Sequence, residues 1–468
     1  MTLTEAAGAV EADPPLRRNR DFLLLWSGAS LSFLATRVTS VAYPLIVLWH
    51  TGSPLAMSVV STAALLPLLL VQLPAGAVVD RWDRRRVMLV CEAGRIVAVG
   101  SVALSLAAGR LSVAHLAAVA FTEASLAVFY RLAERGAVRN LVPPSQLPSA
   151  LAQNEARGRA AGLLGQPAGV LLQSAGRALP FVFGAVGYLV SAASLLLIRK
   201  PFQEERSAAS PGRSAAGKAA AAVPDGAGAA AADASGQDAG SRAGGPGARQ
   251  GPGGAGASRL AGEVGEGLRW LWRQRFLRSA LGYVAATNVL FQMLALALVL
   301  RIKEAGLPSQ TLAVVVGIGG VGGLCGALAG GRIQRRIPRQ RTLLIAGAVS
   351  WSLLIGAMGV AGSPVALGAL YAGTGFVGAV FNVAAAVYQV RTTPDALQGR
   401  VAAAAGLIGS GTNAVGSFAG GLLLAAWGAL PTVRTIAGAM AVLALLAALA
   451  PDLKGELTDD AIDQDRAR

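Results

Sequence analysis

Twelve stretches of predominantly apolar residues, separated by short charged turns, leave this chain little choice of fold. A bilayer core about 30 Å thick needs roughly 20 apolar residues per helix. Runs of that kind lie at about 22–46, 55–78, 87–108, 112–133, 148–173 and 178–198, and after a long gap at about 277–300, 309–330, 341–361, 364–388, 396–426 and 430–450. With 54% hydrophobic and only 14% charged residues among 468, the chain is too apolar to be a soluble protein of its size. The expectation is an all-α polytopic membrane protein with 12 transmembrane helices in two six-helix parallel pseudo-repeats.

The formal charge of +16 would suit nucleic-acid binding if the basic residues gathered on one face. They fall instead in short loops between apolar runs. Placing the N-terminus inside puts 32 of the 41 Lys and Arg residues in cytoplasmic segments and five outside. The positive-inside rule then makes both termini cytoplasmic in a cell-membrane protein. The polar first twenty residues show no removable signal peptide, so the first crossing is expected to act as its own insertion signal. The excess of arginine over lysine, with abundant Ala and Gly, carries the imprint of a GC-rich genome. Two cysteines, Cys91 and Cys325, exclude a disulfide framework, and no cysteine-rich or histidine-based metal site is expected.

The segments divide as an arm over 1–21, a six-helix bundle over 22–200, a linker over 201–258, a lead-in over 259–276, a second bundle over 277–450 and a tail over 451–468. The linker is dominated by Ala, Gly, Ser and Pro without apolar periodicity, which predicts disorder. The lead-in carries Trp270, Leu271 and Trp272 among Arg269, Arg273 and Arg275, the pattern of an interfacial amphipathic helix.

Between the second and third runs the chain reads Gly76-Ala-Val-Val-Asp80-Arg81-Trp82-Asp83-Arg84-Arg85-Arg86. The stretch from Ala327 to Arg336 lays onto it at an offset of 251, with the basic positions matched and Gly331 where Asp80 stands. Pro144-Ser-Gln-Leu147 lays onto Pro394-Asp-Ala-Leu397 at an offset of 250. Two independent landmarks thus give one repeat of six helices, the architecture of parallel-repeat transporters, with substrate near the midplane between the halves.

The Gly76 to Arg85 pattern resembles the signature loop of the major facilitator superfamily. Asn19-Arg-Asp-Phe22 with Trp26, Pro44-Leu, Thr51-Gly-Ser53, Leu141-Val-Pro-Pro, and Asn382, Gln389 and Pro394 with Gln398-Gly-Arg-Val401 resemble its drug-efflux branch of macrolide exporters and the enterobactin exporter. Where members of that branch often carry an acid on the first helix, this chain has Ala35-Thr36-Arg37, and the Gly-Pro motif of helix five appears as Gly165-Gln-Pro167-Ala-Gly169. The resemblance implies a conformational gate of Gly76, Asp80, Arg81, Arg84, Arg85 and Arg400. Asp80 would approach the N-terminus of crossing eleven near Gln398 to Arg400, where unpaired amides favour a carboxylate by about 0.3 to 1 kcal/mol. The alternative is that these arginines only set topology.

Ionisable residues at membrane depth are costly and so are functional candidates. Glu123 lies about 17 Å into crossing four and Arg157 about 13 Å into crossing five at 1.5 Å per residue. Glu123 is expected to be the proton-coupling carboxylate with Arg157 or Arg37 as its partner; the alternative is a static ion pair. Arg159 pairs with Glu155 at the favourable spacing of four, and Glu92 pairs with Arg95 at the cytoplasmic end of crossing three. The resemblance makes Asn288, Gln292, Asn382 and Gln389 candidates for the substrate cavity. Phe22, Phe129, Tyr130, Phe291, Tyr371 and Phe376 could supply an aromatic wall, or simply pack.

These readings converge on proton-coupled efflux of a hydrophobic or amphipathic small molecule by alternating access. Import of a nutrient on the same fold and a non-transporting scaffold stay open. His50 and His115 show no metal spacing, and no Gly-Lys-Ser/Thr phosphate loop is present, so neither an enzyme nor a self-contained ATP-driven pump is expected. No cofactor is expected beyond the proton gradient. The partners are a small-molecule substrate and the lipid bilayer, without nucleic acid, and the chain reads as a monomer.

Overall fold

The computed structural model describes residues 16–79, 81–200, 202, 269, 272, 275–337, 339–393 and 398–450, with side chains at all of these except 73, 275–277, 340, 386–392, 398–400, 402 and 403. The arm before Leu16, almost all of the linker and lead-in, the tail and Asp80 therefore lie outside the described residues.

Thirteen α-helices follow one another in the described chain. The first seven are α1 (Arg20–Thr51), α2 (Pro54–Leu70), α3 (Gln72–Val79), α4 (Arg84–Ala107), α5 (Val113–Leu141), α6 (Leu147–Ala175) and α7 (Leu179–Leu197). The other six are α8 (Arg275–Glu304), α9 (Gln310–Arg336), α10 (Gln340–Met358), α11 (Pro364–Thr392), α12 (Gln398–Trp427) and α13 (Ala429–Leu449). Helices α2 and α3 form one crossing. Pro74 has no N–H to offer Leu70, which interrupts the ladder, yet Val71 keeps right-handed dihedrals and its N–H still reaches the Pro67 carbonyl at 2.9 Å. The helices therefore make twelve crossings. Ten are long and apolar enough to span a membrane by length and composition. The others are the interrupted α2–α3 crossing and α6, which carries Glu155, Arg157 and Arg159.

Local signals set the helix ends. Asn19 accepts from the Phe22 N–H at 3.0 Å to start α1, and its amide donates to the Leu141 carbonyl at 2.9 Å, tying α1 to the end of α5. Gly52, at φ 71°, closes α1 in a left-handed conformation that a side chain would strain, and Ser53 at once caps α2 through the Ala56 N–H at 3.2 Å. That is the structural content of Thr51-Gly-Ser53.

Small residues set how closely the helices approach, because lipid removes most of the hydrophobic drive between them. Methyl groups at Gly322 and Gly326 of α9 would collide with the Ala372 and Phe376 carbonyls of α11. Outside the bundle, Val97, Leu104, Leu328 and Leu353 are 69% to 73% exposed, as suits side chains that face acyl chains.

One end of the bundle carries Arg81, Arg84, Arg85 and Arg86 with Arg332, Arg335 and Arg336, and is called the arginine-rich end here; the α1–α2 turn marks the far end. Two buried clusters make up the core. The larger runs through both halves, joining Tyr43 to Val60 of the first with Leu298, Ile302, Trp351 and Met440 of the second. The smaller belongs to the first half alone and gathers Leu16, Phe22, Met88, Val138, Leu141 and Phe202 toward the arginine-rich end.

Candidate functional site

Helix α1 carries hydroxyls at Ser32, Thr36, Thr39 and Tyr43, a spacing of four, three and four that lays them along one face of an otherwise apolar helix. Glu123 of α5 meets that face. It accepts from Thr39 at 2.7 Å, from Tyr43 at 2.5 Å and from the Tyr188 hydroxyl of α7, and only 2% of it is exposed. Arg95 of α4 lies alongside. It donates to Ser32 at 2.9 Å, to Glu92 at 3.3 Å and to Thr36, and its guanidinium stacks 3.8 Å from the Tyr188 ring centroid. Ser191 of α7 donates to the other Glu92 oxygen at 2.8 Å and contacts the Tyr130 hydroxyl at 3.1 Å. Four helices thus enclose two carboxylates and one guanidinium. The cluster bears one negative charge more than positive when both acids are ionised.

The structure corrects the expected partners of Glu123. Arg157 pairs with Glu134 of α5 at 2.6 Å and reaches the Trp26 carbonyl at 3.5 Å. Crossing four runs on to Leu141, so Glu134 lies inside the helix rather than in a loop. Measured from the arginine-rich end, Arg157 is about 15 Å into α6 and Glu134 about 10 Å into α5, while Glu123 is about 27 Å in. Arg37 does not meet Glu123 either. It sits one residue round the helix from Thr36, with its stem against Gly165 of α6 and its guanidinium 5.1 Å from the Phe33 ring centroid. Glu92 and Arg95 do pair, but at 0% and 1% exposure inside the cluster, about 12 to 16 Å along α4, and not at its end. Arg159 and Glu155 pair at 3.1 Å and are each 71% exposed.

That exposed ion pair bears on the state of the molecule. An ion pair inside a span is favoured where water rather than lipid surrounds it. Gly158 and Gly162 on α6 meet nothing within 4 Å. Toward the far end the halves touch. Gly421 of α12 packs against Ser58 and Pro54 of α2, Gly317 of α9 lies near Pro167 of α6, and Gly320 meets Leu163. Lys303, at the end of α8, donates to the Leu48 carbonyl in the last turn of α1, where a cation is favoured by the helix dipole. Among the described residues, these contacts join the halves toward the far end.

The other expected residues fall around this frame. Asn288 and Gln292 lie half-buried on α8 against Gly409 and Gly416 of α12. Asn382 is exposed on α11, and the Gln389 side chain lies outside the described ones. Phe22 and Tyr130 are core residues and Phe291 stacks edge-on against Trp351 at 4.9 Å, so these three pack helices instead of walling a cavity. In the signature loop, Asp83 caps α4 through the Arg86 N–H at 2.8 Å. Arg84 crosses over Gly136 to the Gly136 and Phe202 carbonyls at 3.1 and 3.4 Å, and Arg85 donates to the Leu196 carbonyl at 2.9 Å. Both arginines thus bind within the first half. Gly76 is half-buried on α3 and Arg81 is exposed; Asp80 and the Arg400 side chain lie outside the description.

The profile of the Major Facilitator Superfamily matches residues 25–350, more than half of the chain. The chain belongs to this superfamily. Its fold is similar to that of the nucleoside transporter NupG, with a TM-score of 0.64 at 12% identity over 92% of this chain and 99% of that one. It is also similar to a bacterial homologue of the human lysosomal transporter Spinster in an inward-facing, unoccupied conformation, at 0.61 and 13% identity over 92% and 96%. Likeness at such identity concerns fold alone. Among curated proteins the chain is 35% identical over 145 residues to the multidrug efflux pump Tap of Mycolicibacterium fortuitum, spanning 30% of this chain and 32% of that protein. To the Mycobacterium tuberculosis (strain ATCC 25618 / H37Rv) pump of the same name it is 39% identical over 87 residues, 19% and 20% of the two chains. The similarity thus covers a third or less of these relatives' length.

Within this superfamily member, Thr39, Tyr43, Tyr188, Arg95, Glu134 and Lys303 were missed as site residues by inspection of the sequence. The hydroxyl stripe on α1 was the available signal for the first two. Lys303 carries no such signal, since its partner is a backbone carbonyl in the other half.

Proposed function

We propose that the chain is a proton-coupled efflux transporter of hydrophobic or amphipathic small molecules, working by alternating access in the cell membrane with its arginine-rich end in the cytoplasm. The observation that carries the coupling is the buried cluster. Two carboxylates, Glu92 and Glu123, share the single guanidinium Arg95, and a group at that depth is costly to leave as a net charge. Taking up one proton neutralises the cluster. Glu123 is the carboxyl that takes it, because Arg95 pairs directly with Glu92 while Glu123 relies on hydroxyls that serve either protonation state. Those hydroxyls come from α1 and α7, so a shift of α1 against α5 changes the proton's hold and links protonation to the motion of the halves.

The efflux direction is supported by the partial likeness to the Tap multidrug pumps. Residues of the signature loop would re-form contacts between the halves when the arginine-rich end closes. The test is transport in inverted vesicles with an imposed pH gradient. Uptake of a multidrug-pump dye should follow the gradient in the native chain and lose that dependence in Glu123→Gln; gradient-driven uptake retained in full by Glu123→Gln would overturn the coupling.

A further inference from the structure

Arg84 of the signature loop is held in part by a carbonyl that belongs to no helix. It donates through Nη1 to the Gly136 carbonyl of α5 at 3.1 Å and to the Phe202 carbonyl, beyond the end of α7, at 3.4 Å. The Asn140 amide of α5 donates to the same Phe202 carbonyl at 2.5 Å. Phe202 is the one described residue of the linker, and it stands here because the chain leaving α7 is tied to the arginine-rich end. Asp21, in the first turn of α1, accepts from the Arg199 and Lys200 N–H groups at 3.5 and 3.2 Å. The Phe202 ring is 2% exposed and belongs to the smaller buried cluster with Leu16, Phe22 and Leu141. Gly136 leaves the space for Arg84, since a methyl group there would collide with the guanidinium, and the buried Nε of Arg84 has no partner among the described residues.

A carbonyl outside regular structure is held only as firmly as the chain around it. Here a buried aromatic ring holds it, because withdrawing the ring would return its apolar surface to water. An uncharged side chain thus decides where a charged one rests. We propose that Phe202 is a positioning residue for Arg84: by seating its own carbonyl against the guanidinium it keeps Arg84 on the first half, and Arg84 gives up this carbonyl before it contacts the second half as the arginine-rich end closes. Filling a hole in the core would need the ring alone, not two donors converging on the backbone oxygen behind it. Loosening the seat frees Arg84 for contacts between the halves, and a state gains population by the difference in contacts that it makes. The far end then opens more often. This inference rests on the alternating-access part of the reading above, and neither on proton coupling nor on the direction of transport.

The test is the rate at which a membrane-impermeant maleimide labels the full chain carrying Ser58→Cys and Cys325→Ser in intact cells. Ser58 is buried against Gly421 toward the far end, so labelling reports opening there. Phe202→Ala should speed labelling by about tenfold, the usual worth of a charge-assisted hydrogen bond. Phe202→Leu, which keeps the seat filled, should label at close to the native rate. Asn140→Ala loosens the same carbonyl without touching the buried ring and should also label faster, which keeps the test in force if Phe202→Ala does not fold. In an Arg84→Gln background, adding Phe202→Ala should change the rate no further. Unchanged labelling in Phe202→Ala and Asn140→Ala, or the same acceleration with and without Arg84, would overturn the proposal. A native chain without gradient-driven dye uptake whose labelling still responds to Phe202→Ala would fail the efflux reading and leave this one standing. Gradient-driven uptake with labelling indifferent to Phe202 would do the reverse.

Discussion

The Tyr43 hydroxyl of α1 donates to the Glu123 carboxylate of α5 at 2.5 Å. Residues 80 positions apart in sequence are thereby joined in the middle of the membrane, and the Tyr188 hydroxyl of α7 completes the grip from a third helix. Tyr43→Phe removes one donor and leaves Thr39 and Tyr188 in place. A hydrogen bond to a charged group contributes about 1.5 to 3 kcal/mol, so gradient-driven transport should fall about tenfold in Tyr43→Phe. An unchanged rate of gradient-driven transport, measured in vesicles, would remove Tyr43 from the proton site.

Arg157 and Glu134 are 9% and 8% exposed, which makes their contact a buried ion pair. Breaking such a pair from one side costs roughly 3 to 5 kcal/mol, because the remaining charge stays buried without compensation. Glu134→Gln and Arg157→Gln should each lower the unfolding temperature in detergent strongly, and the double variant should be less destabilised than the two losses added together. Additive losses would show that the pair is not coupled.

Lys303 bridges the halves at the far end by donating to the Leu48 carbonyl. Lys303→Met should favour opening there. Ser58 is 0% exposed against Gly421, so a cysteine introduced by Ser58→Cys, in a Cys325→Ser background, reports that opening. Labelling by a membrane-impermeant maleimide should speed up several-fold when Lys303→Met is added. An unchanged rate would mean that the α2–α12 contact holds the far end closed without Lys303.

Gly322 of α9 faces the Ala372 carbonyl, a backbone atom that cannot rotate away. Gly322→Ala should cost about 1 to 3 kcal/mol by overpacking, whereas Gly331→Ala, with nothing within 4 Å of its added methyl, should be neutral. Folded yield by size-exclusion chromatography checks both.

The number of crossings, their near boundaries and the six-helix repeat were legible in the chain because transfer into a bilayer is close to a sum over residues, which a window along the sequence captures. The Glu155–Arg159 and Glu92–Arg95 pairs were legible for the related reason that i,i+4 and i,i+3 spacings are fixed by one helix alone. Partners on different helices were not. Matching Glu123 to Arg157 by depth failed because crossing four extends to Leu141, which places Glu134 at the right height, and because the rotation of each helix about its own axis leaves no trace in hydropathy.

Sequence by itself thus determined a twelve-crossing member of the Major Facilitator Superfamily with its basic loops gathered at one end and acids buried in its first half. Only the tertiary structure decided that Glu123 answers to Tyr43, Thr39 and Tyr188, that Arg95 sits beside Glu92 in the same cluster, and that Arg157 belongs to Glu134. The reason is physical: insertion into the membrane depends on what each segment is, whereas a site depends on the depth and rotation that packing imposes on several segments together.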